Sequence, residues 1–218
     1  YIPMPNLKIA RFGFSLFGIN TYVVYSPDSK ECAIIDPGMI NDEERKAIDN
    51  FIEKNGLKVK YLINTHLHID HCIGNSYIEK KYGVKGMAHP ADIMLGSILS
   101  SQAQMFGLPF KVDDITDVNE LKEGDVISLS NGKLNVIHVP GHAPGHIALY
   151  DKEDKFLIDG DILFEGSIGR TDLPGGNYQN LADGIVNKLF TLPDDVTVFP
   201  GHGSQTTIGR EKESNPYI

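Results

Sequence analysis

The run His66-Leu67-His68-Ile69-Asp70-His71 places three imidazoles and a carboxylate within six residues. These are the side chains that hold borderline divalent metal ions. Side chains two apart in an extended segment share a direction, so His66 and His68 can address one ion, while Asp70 and His71, past a turn, can address a second. With 8 histidines in 218 residues, a shuffle of this composition yields the pattern in roughly one chain in a thousand. Three further candidates follow: His142 in Pro140-Gly141-His142, Asp161 in Asp159-Gly160-Asp161, and His202 in Pro200-Gly201-His202-Gly203. Each succeeds a short apolar run and is flanked by glycine, which permits the chain reversal that aims a ligand at a shared point. A lone histidine is more often a hydrogen-bonded structural residue than a ligand, and His89, His138 and His146, outside the pattern, are expected to be structural.

The elements that must position these residues are short strands interleaved with helices. Lys8 to Phe14, Thr21 to Tyr25 and Cys32 to Asp36 are β-like runs separated by Gly18, Pro27 and Pro37-Gly38, which predicts an antiparallel meander. From Asp42 to Asn55, apolar residues at helical spacing, an acidic first turn and a following Gly56 predict a surface helix. Val59 to Ile63 then reads as a strand, Thr65 to His71 as a loop, Cys72 to Tyr82 as a helix, Val84 to Ala88 as a short strand and Pro90 to Phe106 as a helix. Strands follow at Lys133 to Val139, Ile147 to Tyr150, Phe156 to Asp159 and Val196 to Phe199, with one helix between them, capped by Asn177 and striped by Leu181, Ile185 and Leu189. Strands scattered among helices in this way predict a layered α/β architecture with mixed sheets.

Composition narrows the partners. A net charge of −9 argues against nucleic acid and anionic membranes, both of which reward a basic surface, so a small-molecule substrate is expected. The 218 residues, 41% of them hydrophobic, suffice for one domain over 1–218. Two cysteines are too few for a disulfide framework, no apolar run approaches the ~18 residues of a membrane span, and no basic-then-apolar signal pattern opens the chain. A reducing, cytoplasmic setting is the expectation.

Thr-His-x-His-x-Asp-His, then Pro-Gly-His, Gly-Asp and Pro-Gly-His, in this order, resembles the metallo-β-lactamase superfamily. The run Gly166-Ser167-Ile168-Gly169-Arg170-Thr171-Asp172-Leu173-Pro174-Gly175-Gly176 and the tail Thr206-Thr207-Ile208-Gly209-Arg210-Glu211 resemble its single-domain branch near glyoxalase II. The resemblance implies a four-layer αββα sandwich with two mixed β-sheets and the metal site at one edge between them. It also implies one ion on His66, His68 and His142, a second on Asp70, His71 and His202, and Asp161 bridging. Zinc is the first expectation, with iron or manganese as alternatives. A hydroxide shared by two such ions needs no protein nucleophile, and Asp70 would orient it or accept its proton. The reaction implied is hydrolysis of a thioester of the hydroxyacylglutathione type. Full glyoxalase II enzymes carry a C-terminal glutathione-binding domain that has no counterpart expected here, which leaves another thiol, ester or lactone open. A neighbouring branch of persulfide dioxygenases shares Gly-Arg-Thr-Asp but holds a single iron, here on His66, His142 and Asp161. A non-catalytic binding protein on the same fold would have lost ligands, and none is lost.

Other residues carry two readings each. Asp36, before Pro37-Gly38, is placed to hydrogen-bond a ligating histidine or to serve a turn. Arg170 suits the anionic end of a substrate or an ion pair with Asp172. Cys72 is expected to start a helix and pack inward rather than act as a thiolate. Met94, Met105, Phe106, Leu108 and Phe110 fit an acyl pocket or lid, but ordinary core or a homodimer contact is the favoured expectation.

Overall fold

Residues 4–218 are described in a computed structural model of the chain. Strands β1 (Lys8–Phe14), β2 (Ile19–Tyr25) and β3 (Glu31–Ile35) form the expected antiparallel meander. Helix α1 (Asp42–Lys54), capped by Asn41 and acidic in its first turn, returns the chain so that β4 (Lys58–Ile63) lies parallel to β3. Beyond the single turn α2 (Ile69–Cys72) and α3 (Asn75–Tyr82), β5 (Gly86–Ala88) joins β4. A 3-10 turn at Pro90–Asp92, α4 (Ile93–Gly96) and α5 (Leu99–Met105) precede β6 (Asn119–Glu120), which completes a six-stranded sheet in sequence order.

The second sheet starts with β7 (Val126–Leu129), β8 (Gly132–His138), β9 (Ile147–Asp151) and β10 (Phe156–Gly160), each antiparallel to the last. A small ribbon of β11 (Leu163–Phe164) and β12 (Ser167–Ile168) follows, then α6 (Tyr178–Gly184) and a π turn, Ile185–Leu189. Strand β13 (Thr197–Pro200) pairs parallel to β10, β14 (Thr206–Thr207) pairs with β13, and α7 (Ile208–Ser214) ends the fold.

The period-2 alternation of the strands decides the layers. In β3, Ala33 and Ile35 face the second sheet, joining Leu134, Val136, Leu149 and Ile158 in one buried cluster. Their neighbours Cys32 and Ile34 face outward and pack on Ile48 and Ile52 of α1 and Ile78 of α3. In the second sheet Ala148, Tyr150 and Leu157 turn the other way, against Leu181, Ile185 and Leu189 and against Ile208 of α7. Strands buried on both faces read as continuous apolar runs, and the result is the αββα sandwich of two mixed sheets.

Three local expectations change. The helix expected over 90–106 breaks after Gly96, because the Gly96 carbonyl accepts the Ile115 N–H at 2.8 Å. The helix expected from Cys72 starts earlier and is interrupted: Cys72 ends α2, and Gly74 turns to donate its N–H to the Pro37 carbonyl at 2.8 Å. Asp70 and His71 therefore stand on a helical turn, not in a loop. The strand expected from Val84 begins only at Gly86. No helix among the described residues is long and apolar enough to cross a membrane.

Candidate metal centre

All seven candidate ligands gather at one edge of the sandwich. His66 and His68 follow β4 and Asp70 and His71 ride on α2, while His142, Asp161 and His202 follow β8, β10 and β13. Backbone bonds lace these ends together, across the two sheets from Ile147 N–H to Thr65 O at 2.8 Å and from Asn20 N–H to Gly201 O at 2.7 Å, and within the second sheet from Gly201 N–H to Gly160 O at 2.8 Å. Gly201 has to be glycine, since a Cβ there would lie 2.6 Å from both Asp161 Oδ1 and His71 Cε1.

The donor atoms form two groups, His66, His68 and His142 in one and Asp70, His71, Asp161 and His202 in the other, all mutually within 4.8 Å in each. Asp161 Oδ2 stands between them, 3.2 Å from His71 Nε2, 3.5 Å from both His142 Nε2 and His202 Nε2, and 3.9 Å from His66 Nε2. Asp70 Oδ2 lies 3.0 Å from His202 Nε2 and 3.5 Å from His71 Nε2. His68 Nδ1 lies 3.0 Å from His142 Nε2.

The outer nitrogens fix the tautomers. His142 Nδ1 donates to the Arg170 carbonyl at 2.7 Å and His202 Nδ1 to the Gly18 carbonyl at 3.1 Å. Asp36 Oδ2 accepts from His71 Nδ1 at 2.8 Å and from the Thr65 hydroxyl at 2.6 Å. With its proton so committed, Thr65 Oγ1 accepts from His66 Nδ1 at 3.0 Å. With the imidazoles neutral, as metal binding requires, four Nε2 lone pairs and two carboxylates are thereby aimed at one volume without donors to match them. The buried His66 Nε2 and Asp161 Oδ1 find no hydrogen-bond partner among the described residues. Such an array repels itself unless cations fill it, and its nitrogen and carboxylate donors fit two divalent metal ions.

Electrostatics differ between the groups. Burial, helped by neighbouring histidines, pushes His66 well down and His68 to about 4, and burial also lowers His142; neutral imidazole is the form a metal needs. Burial acts on His202 as well, but the Asp161 and Asp70 carboxylates outweigh it and lift His202 to about 10. His71 rises in the same way, against burial, under Asp161, Asp70 and Asp36.

Asp36 does more than serve a turn: it is buried, holds the left-handed φ of 53°, and accepts the Thr65 N–H at 2.7 Å besides the two bonds above. Arg170 forms a bidentate pair with Asp172 at 2.7 and 2.9 Å, exposed at the mouth of the site, while its carbonyl holds His142. Cys72 donates its thiol to the His68 carbonyl at 3.2 Å, and burial pushes that thiol up, so it is no thiolate. His89 and His138 stack 4.1 Å apart outside the cluster. His146 is nearer the chemistry: fully buried, it stacks on His66 at 4.3 Å and accepts the Asp161 N–H at 3.0 Å. This role was not legible from the sequence, nor were those of the Gly18 and Arg170 carbonyls or of Asp92, which accepts the Leu67 and Gly145 N–H groups and whose one signal was a carboxylate inside an apolar helical stretch.

Five of the candidate ligands, His68, Asp70, His142, Asp161 and His202, floor a cavity of about 480 Å³ with mainly apolar walls, including Phe17, Ile69, Leu95, Phe106, Phe164 and Leu173. Phe106 is thus cavity wall rather than core, and Met94 and Met105 are exposed; Leu108 and Phe110 pack on the cluster around Leu67 and Leu95.

Comparison with known proteins agrees with this geometry. Residues 15–202 match the family model of the metallo-beta-lactamase superfamily. The chain is 41% identical to the hydroxyacylglutathione hydrolase GloC of Haemophilus influenzae, over 88% of this chain and 89% of that protein. Among solved structures it resembles TTHA1623 in a di-iron-bound form, with TM-score 0.84 and 31% identity over 96% of this chain and all of that one. The BLEG-1 B3 metallo-beta-lactamase matches with TM-score 0.84 and 30% identity over 96% of this chain and 99% of that one. With the ligand order, the αββα sandwich and these matches in agreement, the chain belongs to the metallo-beta-lactamase superfamily.

Proposed function

We propose that the protein is a two-metal thioesterase acting on S-hydroxyacylglutathione-type substrates, with zinc as the first candidate metal and iron or manganese as alternatives. The observation that carries this reading is the pair of ligand groups sharing Asp161 at the floor of one cleft. Two divalent ions held there would supply hydroxide at neutral pH and polarise a scissile carbonyl. The chain's own part is to seat and orient. Asp70 lines the cavity beside His202, placed to accept the proton released at the reacting centre. The apolar walls hold the acyl portion and exclude water, and Arg170 at the mouth faces the anionic end of the substrate. The resemblance to a hydroxyacylglutathione hydrolase supports the choice of thioester. A single-iron dioxygenase would need only His66, His142 and Asp161; the convergence of Asp70, His71 and His202 on the same carboxylate favours two ions. The two buried free cysteines, Cys32 and Cys72, suit a reducing cytoplasm, and a small molecule is the partner such a cleft fits.

The test is element-resolved metal content of protein purified without added metal, combined with turnover of S-lactoylglutathione followed by loss of thioester absorbance. Two ions per chain and turnover abolished by chelation are expected. One iron per chain, with oxygen uptake on glutathione persulfide and no thioester cleavage, would overturn the reading.

A further inference from the structure

Asp92 lies outside the seven-ligand set, yet its carboxylate is divided between the two segments that carry His66, His68 and His142. The residue is fully buried; its Oδ2 accepts the Leu67 N–H at 3.0 Å and its Oδ1 accepts the Gly145 N–H at 2.6 Å. Leu67 stands between His66 and His68, and Gly145 comes three residues after His142. One side chain thus grips both loops from behind.

Packing points the same way. A Cβ on Gly145 would lie 2.8 Å from Asp92 Oδ1 and 2.9 Å from Asp92 Cγ, so glycine is what lets that loop seat on the carboxylate. The Leu67 and Ala143 side chains are buried in the same cluster as Leu95 and Leu99, from the helical segment that Asp92 introduces. Burial raises the Asp92 carboxyl to about 6 while the two N–H donors draw it back, so near pH 7.5 it is chiefly the carboxylate that holds both. The other ligand group has a direct support of its own in Asp36, which accepts from His71 Nδ1 and reaches His66 only through the Thr65 hydroxyl.

We propose that Asp92 is a positioning residue dedicated to the His66/His68/His142 metal site. This rests on the two-metal reading above. An amide at position 92 keeps the shape but offers one acceptor oxygen, and its NH2 would face a backbone N–H, so one of the two loops is released. Loss of such an outer partner lowers metal affinity by roughly 10- to 100-fold.

The experiment is a chelator competition on the full chain loaded with cobalt(II), read by visible absorption at pH 7.5. The variants His68→Ala and Asp70→Ala assign the bands of the two sites. Asp92→Asn is expected to release the ion of the His66/His68/His142 site at ~10- to 100-fold lower chelator strength, with the other ion and the circular dichroism unchanged. Both ions at wild-type affinity, or both weakened equally, would overturn the proposal. Should Asp92→Asn fail to fold, Gly145→Ala, which pushes the loop off an intact carboxylate, is expected to give the same selective loss, and equal retention of both ions in it would overturn the proposal. A wild-type chain that binds no ion at His66/His68/His142 would overturn the two-metal reading as well, an outcome visible before any variant of Asp92 or Gly145 is compared.

Discussion

Asp36→Asn isolates hydrogen bonding from backbone geometry. Position 36 has φ of 53°, and Asn is among the residues that tolerate this left-handed region, so the turn survives the change. The native carboxylate accepts three bonds: Thr65 N–H at 2.7 Å, the Thr65 hydroxyl at 2.6 Å and His71 Nδ1–H at 2.8 Å. The amide oxygen, bonded to Thr65 N, replaces one; the amide NH2 faces the other two donors. Two charge-assisted bonds at about 1.5–3 kcal/mol each set a ceiling of roughly 6 kcal/mol on the lost stability, part of which rotation of the Thr65 hydroxyl recovers. The imidazole of His71 escapes the clash by moving its proton from Nδ1 to Nε2, which turns a lone pair aimed at Asp70 and Asp161 into a donor. The ion held by His71 is then expected to bind about 10- to 100-fold more weakly, a change of roughly 1.4–2.7 kcal/mol. Equilibrium dialysis against graded chelator with metal analysis on the same samples reads this directly. One ion per chain should be lost early and the other kept. Two ions retained at wild-type affinity, or early loss from the His66/His68/His142 site instead, would refute the reasoning.

Three further outcomes are expected. Asp161→Asn keeps the shape of the side chain between the two ligand groups but removes its charge, so metal content falls and thioester turnover drops at least ~100-fold while the circular dichroism is retained; near-native turnover with two ions would exclude a bridging role. Arg170→Ala, which removes an exposed cation at the cavity mouth, raises KM with kcat little changed, as for a contact made equally in ground and transition states; an unfolded, inactive variant would instead make the pair with Asp172 structural. In the metal-free protein, Asp92 adds a pH signature, because burial lifts its carboxyl to about 6 in the folded state against about 3.9 unfolded. The folded chain binds that proton more tightly, so this group's favourable contribution is complete below pH 4 and declines by about 3 kcal/mol as pH rises through 6. Denaturant titrations of wild type and Asp92→Asn should show their stability difference falling by that amount between pH 4 and pH 7, and a flat difference would show that burial does not perturb Asp92.

Strands β2, β3, β9 and β10 were the most legible because they are buried on both faces. Ala33 with Ile35 and Cys32 with Ile34 go to opposite clusters, and so do Ile147 with Leu149 and Ala148 with Tyr150, which leaves apolar runs too dense to miss. Several short elements escaped notice, among them Val126–Leu129, which is half exposed and whose place comes from pairing with Gly132–Asn135 of its own hairpin. The helices misled at their interruptions for a related reason. Periodicity sees side chains, whereas Gly74 and Gly96 leave the helix through backbone bonds to Pro37 and Ile115, partners 37 and 19 residues away along the chain.

The same distinction separates the ligands from what holds them. Metal ligation asks for particular residue types close together, and where a loop supplies several of them, as His66 to His71 does, their spacing carries the signal. Orientation asks only for an acceptor in the right place. The partners that supply it lie 35 residues away for Asp36 and His71, 28 for the Arg170 carbonyl and His142, and 53 for Asp92 and Gly145. Two of the acceptors, at Gly18 and Arg170, are main-chain carbonyls that any residue would offer. His146 is the instructive case. Its type matched the ligand pattern and its position did not, so a structural role was expected, and it does stay out of the donor set. What topology adds is that β9 and β10 are antiparallel neighbours, which brings the residue just before β9 against the one just after β10; His146 thereby receives the Asp161 N–H and braces the carboxylate on which both ligand groups converge.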